Sequence, residues 1–492
     1  MTRGAPITAA QKRGLVVFVL AACTLACLVT GLNGDLSNSD DSMFAWSVRD
    51  SVRRGAWLEY EWFGVSFQLA YPPLGYALTS ISARLFGFTE VAFRLVPALC
   101  SCGAALVAFA IVRRLGCALW AAAFATLSLV SLSVYYYFAR TAGVDGLLVL
   151  TLMLTQLAIV AALDRPGLWT WVGVAAGAAI MTKGPAAALP LLGMLAMLLV
   201  ARHRPSARHL GRAVLVTTLV ALPWHVGQLI RHGGWLLHNY VGFNVVDRAT
   251  AQIAGDQTPF HFYVSALVEL DPIVGGVVLL GAGFAIATWW RDRDARLAPL
   301  IGATVLSLLV FSSSQTRILK YLMPSLAFMC VLAAVAAHRL LDRYRLAPAI
   351  LALPVAVFFA HTAPQTSGEP LAPGQRQLSE RARDLLAPGE TLYVLDDYHV
   401  ATAYYVDRPT LLLTPDPRAY ATLIAVPGLR LSGTVKLVPA AEIAAFLRAA
   451  GARALLVERR LLPLMGPTDP AALGFTRRQA LGEYTLFWAA DP

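Results

Sequence analysis

Two adjacent carboxylates, Asp40 and Asp41, are the residues of this chain best placed to do chemistry. They follow the first long apolar stretch, Gly14 to Leu32, and open a polar and aromatic segment that runs to Pro73. If that stretch spans a bilayer, the pair lies at the membrane surface on the far side. There a carboxylate could accept a proton from a substrate or hold a cation. The pair also suits a helix start, where Asp accepts from free backbone N–H groups.

Three later clusters of charge border apolar stretches and offer groups that could bind an anion. Arg140 and Asp145 flank a short turn, Lys183 stands alone between two apolar runs, and Arg317 and Lys320 share a polar turn. A lysine ammonium or an arginine guanidinium suits a phosphate. Each cluster has a structural alternative, because a long cationic side chain can extend to the membrane interface. Arg140 can also pair locally with Asp145.

Four histidines surround the 232–262 loop and raise the possibility of a divalent metal. Together with Asp247, Asp256 or the Asp40–Asp41 pair they would supply suitable ligands, but their spacing matches no compact metal motif. The sequence therefore leaves the need for a metal open. The histidines are His225, His232, His238 and His261.

Composition places the chain among polytopic membrane proteins. It has 492 residues, of which 57% are hydrophobic and 14% charged, and its mean hydropathy is +0.61. Soluble domains carry about 25% charge. The net charge of +11 comes from short clusters between apolar runs, which is typical of cytoplasmic loops and argues against nucleic-acid binding. The six cysteines lie in or beside apolar runs, which favours small apolar positions in helices.

Apolar runs predict about eleven transmembrane helices. Lys and Arg in the short loops place one side in the cytoplasm, and the basic N-terminus falls on that side as an uncleaved first helix. The opposite, periplasmic side receives all the charged clusters described above. The predicted spans are 14–32, 90–112, 116–137, 144–162, 168–182, 185–201, 213–231, 263–289, 298–314, 318–338 and 346–362.

The polar segments predict the domain organisation. Residues 1–362 form the membrane domain, with a first external loop at 33–89 that contains amphipathic helices. Residues 363–377, rich in Pro, Gly, Gln and Ser, read as a linker. Residues 378–492 predict a small soluble α/β domain on the periplasmic side. Its predicted strands are 391–395, 403–406, 410–414, 454–457 and 484–488, and its predicted helices are 378–386 and 440–450.

Seven short motifs occur in order between residues 35 and 340. They are Asp40-Asp41-Ser42-Met43-Phe44, Tyr71-Pro72-Pro73-Leu74-Gly75-Tyr76, Phe93-Arg94-Leu95-Val96-Pro97-Ala98, Arg140…Asp145, Thr182-Lys183-Gly184-Pro185, Leu222-Pro223-Trp224, and Ser314…Lys320-Tyr321…Pro324. Each motif is weak evidence alone, but their order and spacing together resemble those of the GT-C glycosyltransferases. The resemblance is to the protein mannosyltransferase and aminoarabinose (lipid A) transferase superfamily. Two positions depart from it: Ala70-Tyr71 stands where aminoarabinose transferases carry Glu-Lys, and Asp41 stands where Glu is frequent.

The resemblance implies a GT-C fold in a bacterial inner membrane and a sugar donor on a polyprenyl phosphate. The acceptor would be a cell-envelope molecule, and the reaction a single displacement with inversion. Asp40 would be the general base, while Asp41 and Asp145 would orient the acceptor or stabilise positive charge on the sugar ring. The side chains implied in binding the donor and its phosphate are Lys183, Arg317, Lys320, Arg140, Arg94, Tyr71 and Tyr321.

Two other functional classes fit the same pattern. A flippase or transporter of polyprenyl-linked glycans would also place charges in a helical bundle, although no inverted repeat is evident. An oligosaccharide polymerase or ligase would use a longer lipid-linked donor. The sequence does not determine the sugar, the acceptor (lipid A, another glycolipid, a glycan or a protein) or the oligomeric state.

Overall fold

The computed structural model of the chain describes residues 9–37, 40–61, 71–251, 258–345, 347–364, 371–395, 400–417, 435–465 and 470–489. Most of the chain up to residue 362 is helical, and the helices pack around one large apolar core. By length and composition, five of the described helices could cross a membrane, or six if one bent pair forms a single span, and four shorter apolar helices accompany them.

The helices up to residue 362 are numbered in chain order. They are α1 (Ala9–Val29), α2 (Asp40–Arg54), α3 (Leu74–Phe86), α4 (Glu90–Arg114), α5 (Leu119–Ser131), α6 (Ser133–Ala139), α7 (Asp145–Asp164), α8 (Trp169–Lys183), α9 (Pro185–Val200), α10 (Ala207–His232), α11 (Phe262–Leu270), α12 (Val274–Asp292), α13 (Ala298–Ser313), α14 (Met323–Leu341) and α15 (Ala347–Thr362). A π-helix, Leu237–Asp247, follows α10.

Two predicted spans are broken. The span predicted at 116–137 bends by 71° between α5 and α6, and the span predicted at 263–289 is interrupted between α11 and α12. Asp271 lies at the second break and accepts hydrogen bonds from the backbone N–H of Ser133, at 3.1 and 2.9 Å, and from its hydroxyl at 2.8 Å. Because the first N–H groups of a helix have no partner within it, this buried carboxylate caps α6 from a distance.

The two ends of the bundle carry different charged contacts. At one end Asp164, at the end of α7, pairs with Arg114 at 3.5 Å and with Arg296 at 2.8 Å. These residues belong to the loops predicted to be cytoplasmic. The loops predicted on the other side meet at the opposite end, where α2 and α3 pack against each other and against the end of α4.

The C-terminal region is a six-stranded sheet with helices on both faces. The strands are β1 (Leu392–Leu395), β2 (Thr410–Thr414), β3 (Val435–Leu437), β4 (Ala454–Glu458), β5 (Arg477–Leu481) and β6 (Tyr484–Trp488), and the helices are α16 (Gln375–Leu385), α17 (Val400–Val406) and α18 (Ile443–Ala449). The order of the strands in the sheet is β3-β2-β1-β4-β6-β5. Strands β3, β2, β1 and β4 are parallel to one another, whereas β6 pairs antiparallel with β4 on one side and with β5 on the other. Val394 and Leu456 face α16 and α17, whereas Leu395 and Leu455 face α18.

Most elements predicted in this region are present. Strands β1, β2, β4 and β6 and the helix at 440–450 are confirmed, whereas β3 and β5 were not predicted. The strand predicted at 403–406 is wrong, since this segment belongs to helix α17. Every residue of α17 is buried, so its apolar residues follow neither the alternation typical of a strand nor the period typical of a half-buried helix. Of the predicted linker, 365–370 lies outside the described residues, and Gln375 already begins α16.

Candidate functional site

A small cavity opens where the ends of several helices meet. Asp145 begins α7, Lys183 ends α8, and Lys320 and Tyr321 lie in the 3₁₀ turn before α14. The fold therefore brings together four of the residues that the sequence singled out. The complete lining is Asp145, Leu148, Lys183, Ala186, Pro190, Ser307, Phe311, Lys320, Tyr321 and Pro324.

Asp40 lies beside this cavity and forms an ion pair with Lys320. It is the first residue of α2, where the free N–H groups and the helix dipole favour a carboxylate. The Asp40 side chain is 58% exposed, whereas the Lys320 side chain is only 11% exposed. Asp40 is thus a carboxylate that an entering molecule can reach, held by a lysine that is otherwise buried.

A second ion pair, between Lys183 and Asp145, lies inside the cavity wall. The Lys183 ammonium is also 5.8 Å from the centre of the Tyr71 ring and 5.7 Å from that of Tyr321, so aromatic faces stabilise its charge. Tyr321 in turn stacks on Phe311, with ring centres 4.9 Å apart. The Lys183 ammonium is therefore flanked by aromatic rings at one end of the helical bundle.

Arg248 adds a third cation that the sequence reasoning missed. Its guanidinium donates to the Tyr321 hydroxyl, and its buried Nε has no hydrogen-bond partner among the described residues. A buried charged donor without a partner is costly, so a bound anion would stabilise it. Nothing in the local sequence, which offers Asp247 as a possible metal ligand, distinguishes Arg248 from an ordinary loop cation.

Asp41 differs from its neighbour Asp40 in being fully buried. It pairs with the equally buried Arg94 and accepts from the backbone N–H groups of Ala142, at 2.6 Å, and Ser37, at 3.2 Å. Arg94 also donates to the carbonyls of Leu32 and Asp35, at 3.0 and 2.8 Å. This pair therefore joins the loop before α2 to α4 and to the turn before α7. Its geometry suits a positioning role rather than contact with a substrate.

Arg140 and Arg317 do not line the cavity. Arg140 is buried, donates to the Thr30 carbonyl at 2.6 Å beyond the end of α1, and stacks over Tyr136 at 4.4 Å. Arg317 donates to the carbonyls of Ser312, at 2.9 Å, and Thr258. Backbone carbonyls occupy both guanidinium groups, which fixes the turns that carry them.

The turn after Lys183 depends on a glycine. Gly184 has φ +52°, and a Cβ there would overlap the hydroxyl of Tyr240. That hydroxyl is 2.7 Å from Nε2 of His225, whose Nδ1 is 2.7 Å from the Ala221 carbonyl. The turn that places Lys183 is therefore packed against a fixed Tyr240–His225 pair.

Replacing Gly184 with Ala should destabilise the protein by about 2–5 kcal/mol, since a positive φ costs about 1–2 and overpacking about 1–3 kcal/mol. Gly233 provides a matched control, because its φ is +54° and a Cβ there meets nothing within 4 Å. Melting in detergent should show a larger loss for Gly184→Ala than for Gly233→Ala. Equal losses would mean that Tyr240 moves aside without cost.

The histidines do not assemble a metal site. Among the described residues, no group of three or more His, Cys, Asp or Glu side chains could hold a metal ion. His225 contacts Tyr240, and His232 lies 3.7 Å from Glu59 in a contact shared with Arg231. Asp256, one of the ligands considered from the sequence, lies outside the described residues. The described residues therefore do not bring three such ligands together.

Comparisons with known proteins agree with this architecture. A family model described as dolichyl-phosphate-mannose-protein mannosyltransferase matches residues 70–226. An undecaprenyl phosphate-alpha-4-amino-4-deoxy-L-arabinose arabinosyl transferase of Sodalis glossinidius is 28% identical over 346 residues, covering 68% of this chain and 60% of that protein. Its counterpart from Aeromonas salmonicida is 27% identical over 319 residues, covering 62% and 57%. The chain therefore spans about 60% of the length of these curated relatives.

Solved structures extend the similarity over nearly the whole chain. The structure of ArnT from Cupriavidus metallidurans bound to undecaprenyl phosphate superposes with a TM-score of 0.75 at 16% identity, covering 97% of this chain and 99% of that one. This chain has the GT-C fold. The archaeal oligosaccharyltransferase AglB from Archaeoglobus fulgidus shares the GT-C fold with a TM-score of 0.63 at 12% identity, covering 91% of this chain and 69% of that one.

The shared GT-C fold confirms the fold class expected from the sequence. A polytopic helical domain is followed by a small C-terminal α/β region, and the superposition on ArnT covers 97% of this chain.

Proposed function

We propose that the chain is a membrane glycosyltransferase that moves a sugar from a polyprenyl-phosphate donor to a cell-envelope acceptor. One observation carries the proposal: a solvent-accessible carboxylate, Asp40, lies at a cavity whose wall contains the cations Lys183 and Lys320. Arg248 reaches the same wall through Tyr321. A base beside a cluster of cations suits a reaction in which a hydroxyl attacks a carbon that bears a phosphate leaving group.

In the proposed reaction, an acceptor hydroxyl oxygen attacks the anomeric carbon of the donor sugar. The new glycosidic bond forms as the bond from that carbon to the phosphate oxygen breaks, with inversion at the carbon. Asp40 takes the hydroxyl proton, and the polyprenyl phosphate leaves with the bonding electron pair. Asp145 then orients the acceptor or stabilises positive charge on the sugar ring.

The cations balance the charge of the leaving group. Lys320 is paired with Asp40 and Lys183 with Asp145, so each ammonium already has an anionic partner. A donor phosphate at the cavity would share these ammonium groups and occupy the free Nε of Arg248. Sharing Lys320 would also release Asp40 for the acceptor hydroxyl. Tyr71 and Tyr321 contribute ring faces beside Lys183.

The names of the relatives point to the donor class. Both arabinosyl transferases are named for undecaprenyl phosphate-alpha-4-amino-4-deoxy-L-arabinose. We therefore propose a pentose of this kind on undecaprenyl phosphate as the donor, and lipid A or another envelope glycolipid, glycan or protein as the acceptor. The site and the C-terminal domain would face the periplasm from the inner membrane, since the short basic loops gather at the other end of the bundle.

Removing Arg248 should weaken donor binding. With Arg248→Gln, the KM for the donor should rise about 10- to 100-fold, because a hydrogen bond to a charged group contributes about 1.5–3 kcal/mol. Arg231→Gln is the matched control, since Arg231 is exposed and pairs with Glu59 outside the cavity. Initial rates over a range of donor concentrations measure both variants. An unchanged KM in Arg248→Gln would remove Arg248 from the phosphate site.

The proposed function is tested by mass spectrometry of envelope glycolipids and glycoproteins from a deletion strain. Loss of a sugar on deletion, with recovery on expression of the wild-type chain, identifies the product. The mass difference separates one sugar from a longer glycan, and so a transferase from a polymerase or ligase. A lipid-linked precursor redistributed across the membrane, with no glycan changed, would instead support a flippase.

A further inference from the structure

Helix α2, which begins with Asp40, is bound at its C-terminal end by the C-terminal domain. The two terminal nitrogens of the Arg53 guanidinium, Nη1 and Nη2, each donate to one oxygen of the Asp407 carboxylate at 2.7 Å. Nη2 of Arg49 lies 3.3 Å from Oδ1 of the same carboxylate. Arg49 also donates to the Tyr404 carbonyl at 2.8 Å. Burial raises the pKa of Asp407, but the hydrogen bonds and charges of Arg53 and Arg49 outweigh it and hold that pKa below its ordinary value.

The segment just before α2 is bound by the same part of the C-terminal domain. The Tyr405 hydroxyl accepts from the Leu36 N–H at 2.8 Å and donates to Glu90 at 3.1 Å. Arg376 forms ion pairs with Asp35 and with Glu90, the latter at 2.9 Å. The contacts on both sides of α2 therefore come from residues 404–407 and the start of α16.

Between these two ends, α17 packs directly on α2. Ala401, Tyr404 and Tyr405 share one buried apolar cluster with Phe44 and Val48 of α2. The Arg49 guanidinium lies 4.2 Å from the centre of the Tyr404 ring. Helix α17 thus fits against α2 along its length, with polar contacts at each end and apolar contacts in the middle.

The geometry of a helix makes these contacts relevant to Asp40. Helix α2 has 15 residues, so Asp40 lies about 20 Å from the end held by Asp407. A tilt of about 10° around that end would move Asp40 by about 3–4 Å, which exceeds the tolerance of a hydrogen bond. Asp40 itself is more than half exposed, so its position depends on how α2 is held, by the Asp41–Arg94 pair in its first turn and by Asp407 in its last turn.

We propose that Asp407, together with Tyr404 and Tyr405, is a positioning element through which the C-terminal domain fixes helix α2 and so keeps Asp40 at the cavity. The catalytic part of this inference rests on the proposed function, whereas the restraint on α2 does not. Asp407 itself has φ +49°, a conformation that Asp and Asn tolerate better than most residues. Substitution with Asn therefore removes the charge without changing the backbone preference.

The test compares Asp407→Asn, Arg53→Gln and Arg53→Lys with the control Glu458→Gln in the full-length protein in nanodiscs. Glu458 pairs with Arg460 at 3.0 Å in the same domain, away from α2. Hydrogen exchange of the 40–54 peptide reports the restraint on α2, and kcat and KM for the donor report its effect on transfer. Melting in nanodiscs verifies that each variant is folded.

Asp407→Asn and Arg53→Gln should speed exchange across 40–54 and lower kcat about tenfold or more, with the donor KM changed less than twofold. Arg53→Lys should recover most of both properties, and Glu458→Gln should match the wild type. Unchanged exchange in 40–54 would overturn the restraint, and faster exchange with an unchanged kcat would overturn the positioning of Asp40. If the wild type transfers no sugar, the proposed function fails, and the exchange data alone decide the restraint.

Discussion

Replacement of Asp40 with Asn should lower kcat by about 10²- to 10⁴-fold, the range typical of a lost general base. Asn has nearly the same shape but does not take the proton from the acceptor hydroxyl. The fold should be preserved, because Asp40 is more than half exposed and the Asn side-chain oxygen can still accept a hydrogen bond from Lys320. The donor KM should change far less than kcat. Initial transfer rates and melting in the same detergent measure both effects.

A second carboxylate on the same helix provides the control for this experiment. Asp50 pairs with Arg54 one turn along α2, at 2.6 Å, and does not line the cavity. Asp50→Asn removes the same charge from α2 and should leave kcat within about twofold of the wild type. Transfer by Asp40→Asn at the wild-type rate would exclude Asp40 as the base.

Replacement of Asp41 with Asn should destabilise the protein by about 3–5 kcal/mol, the usual cost of breaking a buried ion pair. The variant leaves the Arg94 guanidinium buried without an anionic partner, and it weakens the bonds to Ala142 and Ser37. Activity should fall together with stability, since the loop before α2 and the turn before α7 lose their connection. The apparent Tm in detergent and the yield of folded protein measure the loss.

Asp164→Asn is the control for Asp41→Asn, because it also removes a carboxylate from an ion pair but does so at an exposed position. Asp164 pairs with Arg114 and Arg296 at the opposite end, and its side chain is 42% exposed. Exposed pairs contribute about 0–1 kcal/mol, so this variant should melt close to the wild type. If Asp41→Asn melts no lower than Asp164→Asn, the Asp41–Arg94 pair does not hold the loop.

The neighbouring Asp40 and Asp41 illustrate the limit of reading a site from its sequence. Motif order and the distribution of Lys and Arg correctly placed Asp40, Asp145, Lys183 and Lys320 at one end of the bundle. Successive residues of a helix point about 100° apart, so adjacent carboxylates face different surroundings. Which of them faces the cavity and which faces Arg94 depends on the rotation of α2. Packing against α3, α4 and α17 sets that rotation.

Arg248 and Asp271 were missed for a related reason. The residues next to each of them in the sequence form no recognisable motif. Their importance comes from hydrogen bonds to residues far away in the chain, to Tyr321 for Arg248 and to Ser133 for Asp271. Helix α17 was misassigned because both its sides are covered, by the sheet and by α2, so its burial shows no period. Apolar helices were predicted from the length and composition that a bilayer imposes, but the breaks between α5 and α6 and between α11 and α12 leave no mark in an apolar run.

The proposed role of Asp40 is that of the general base in sugar transfer from a polyprenyl-phosphate donor. This role can be tested with the purified chain in nanodiscs, with undecaprenyl phosphate-4-amino-4-deoxy-L-arabinose as donor and lipid A as acceptor. Mass spectrometry of the acceptor follows product formation by the wild type, Asp40→Asn and Asp50→Asn. We predict one added pentose with the wild type and with Asp50→Asn, and at least 10²-fold slower transfer with Asp40→Asn. Equal rates for Asp40→Asn and the wild type would contradict the account.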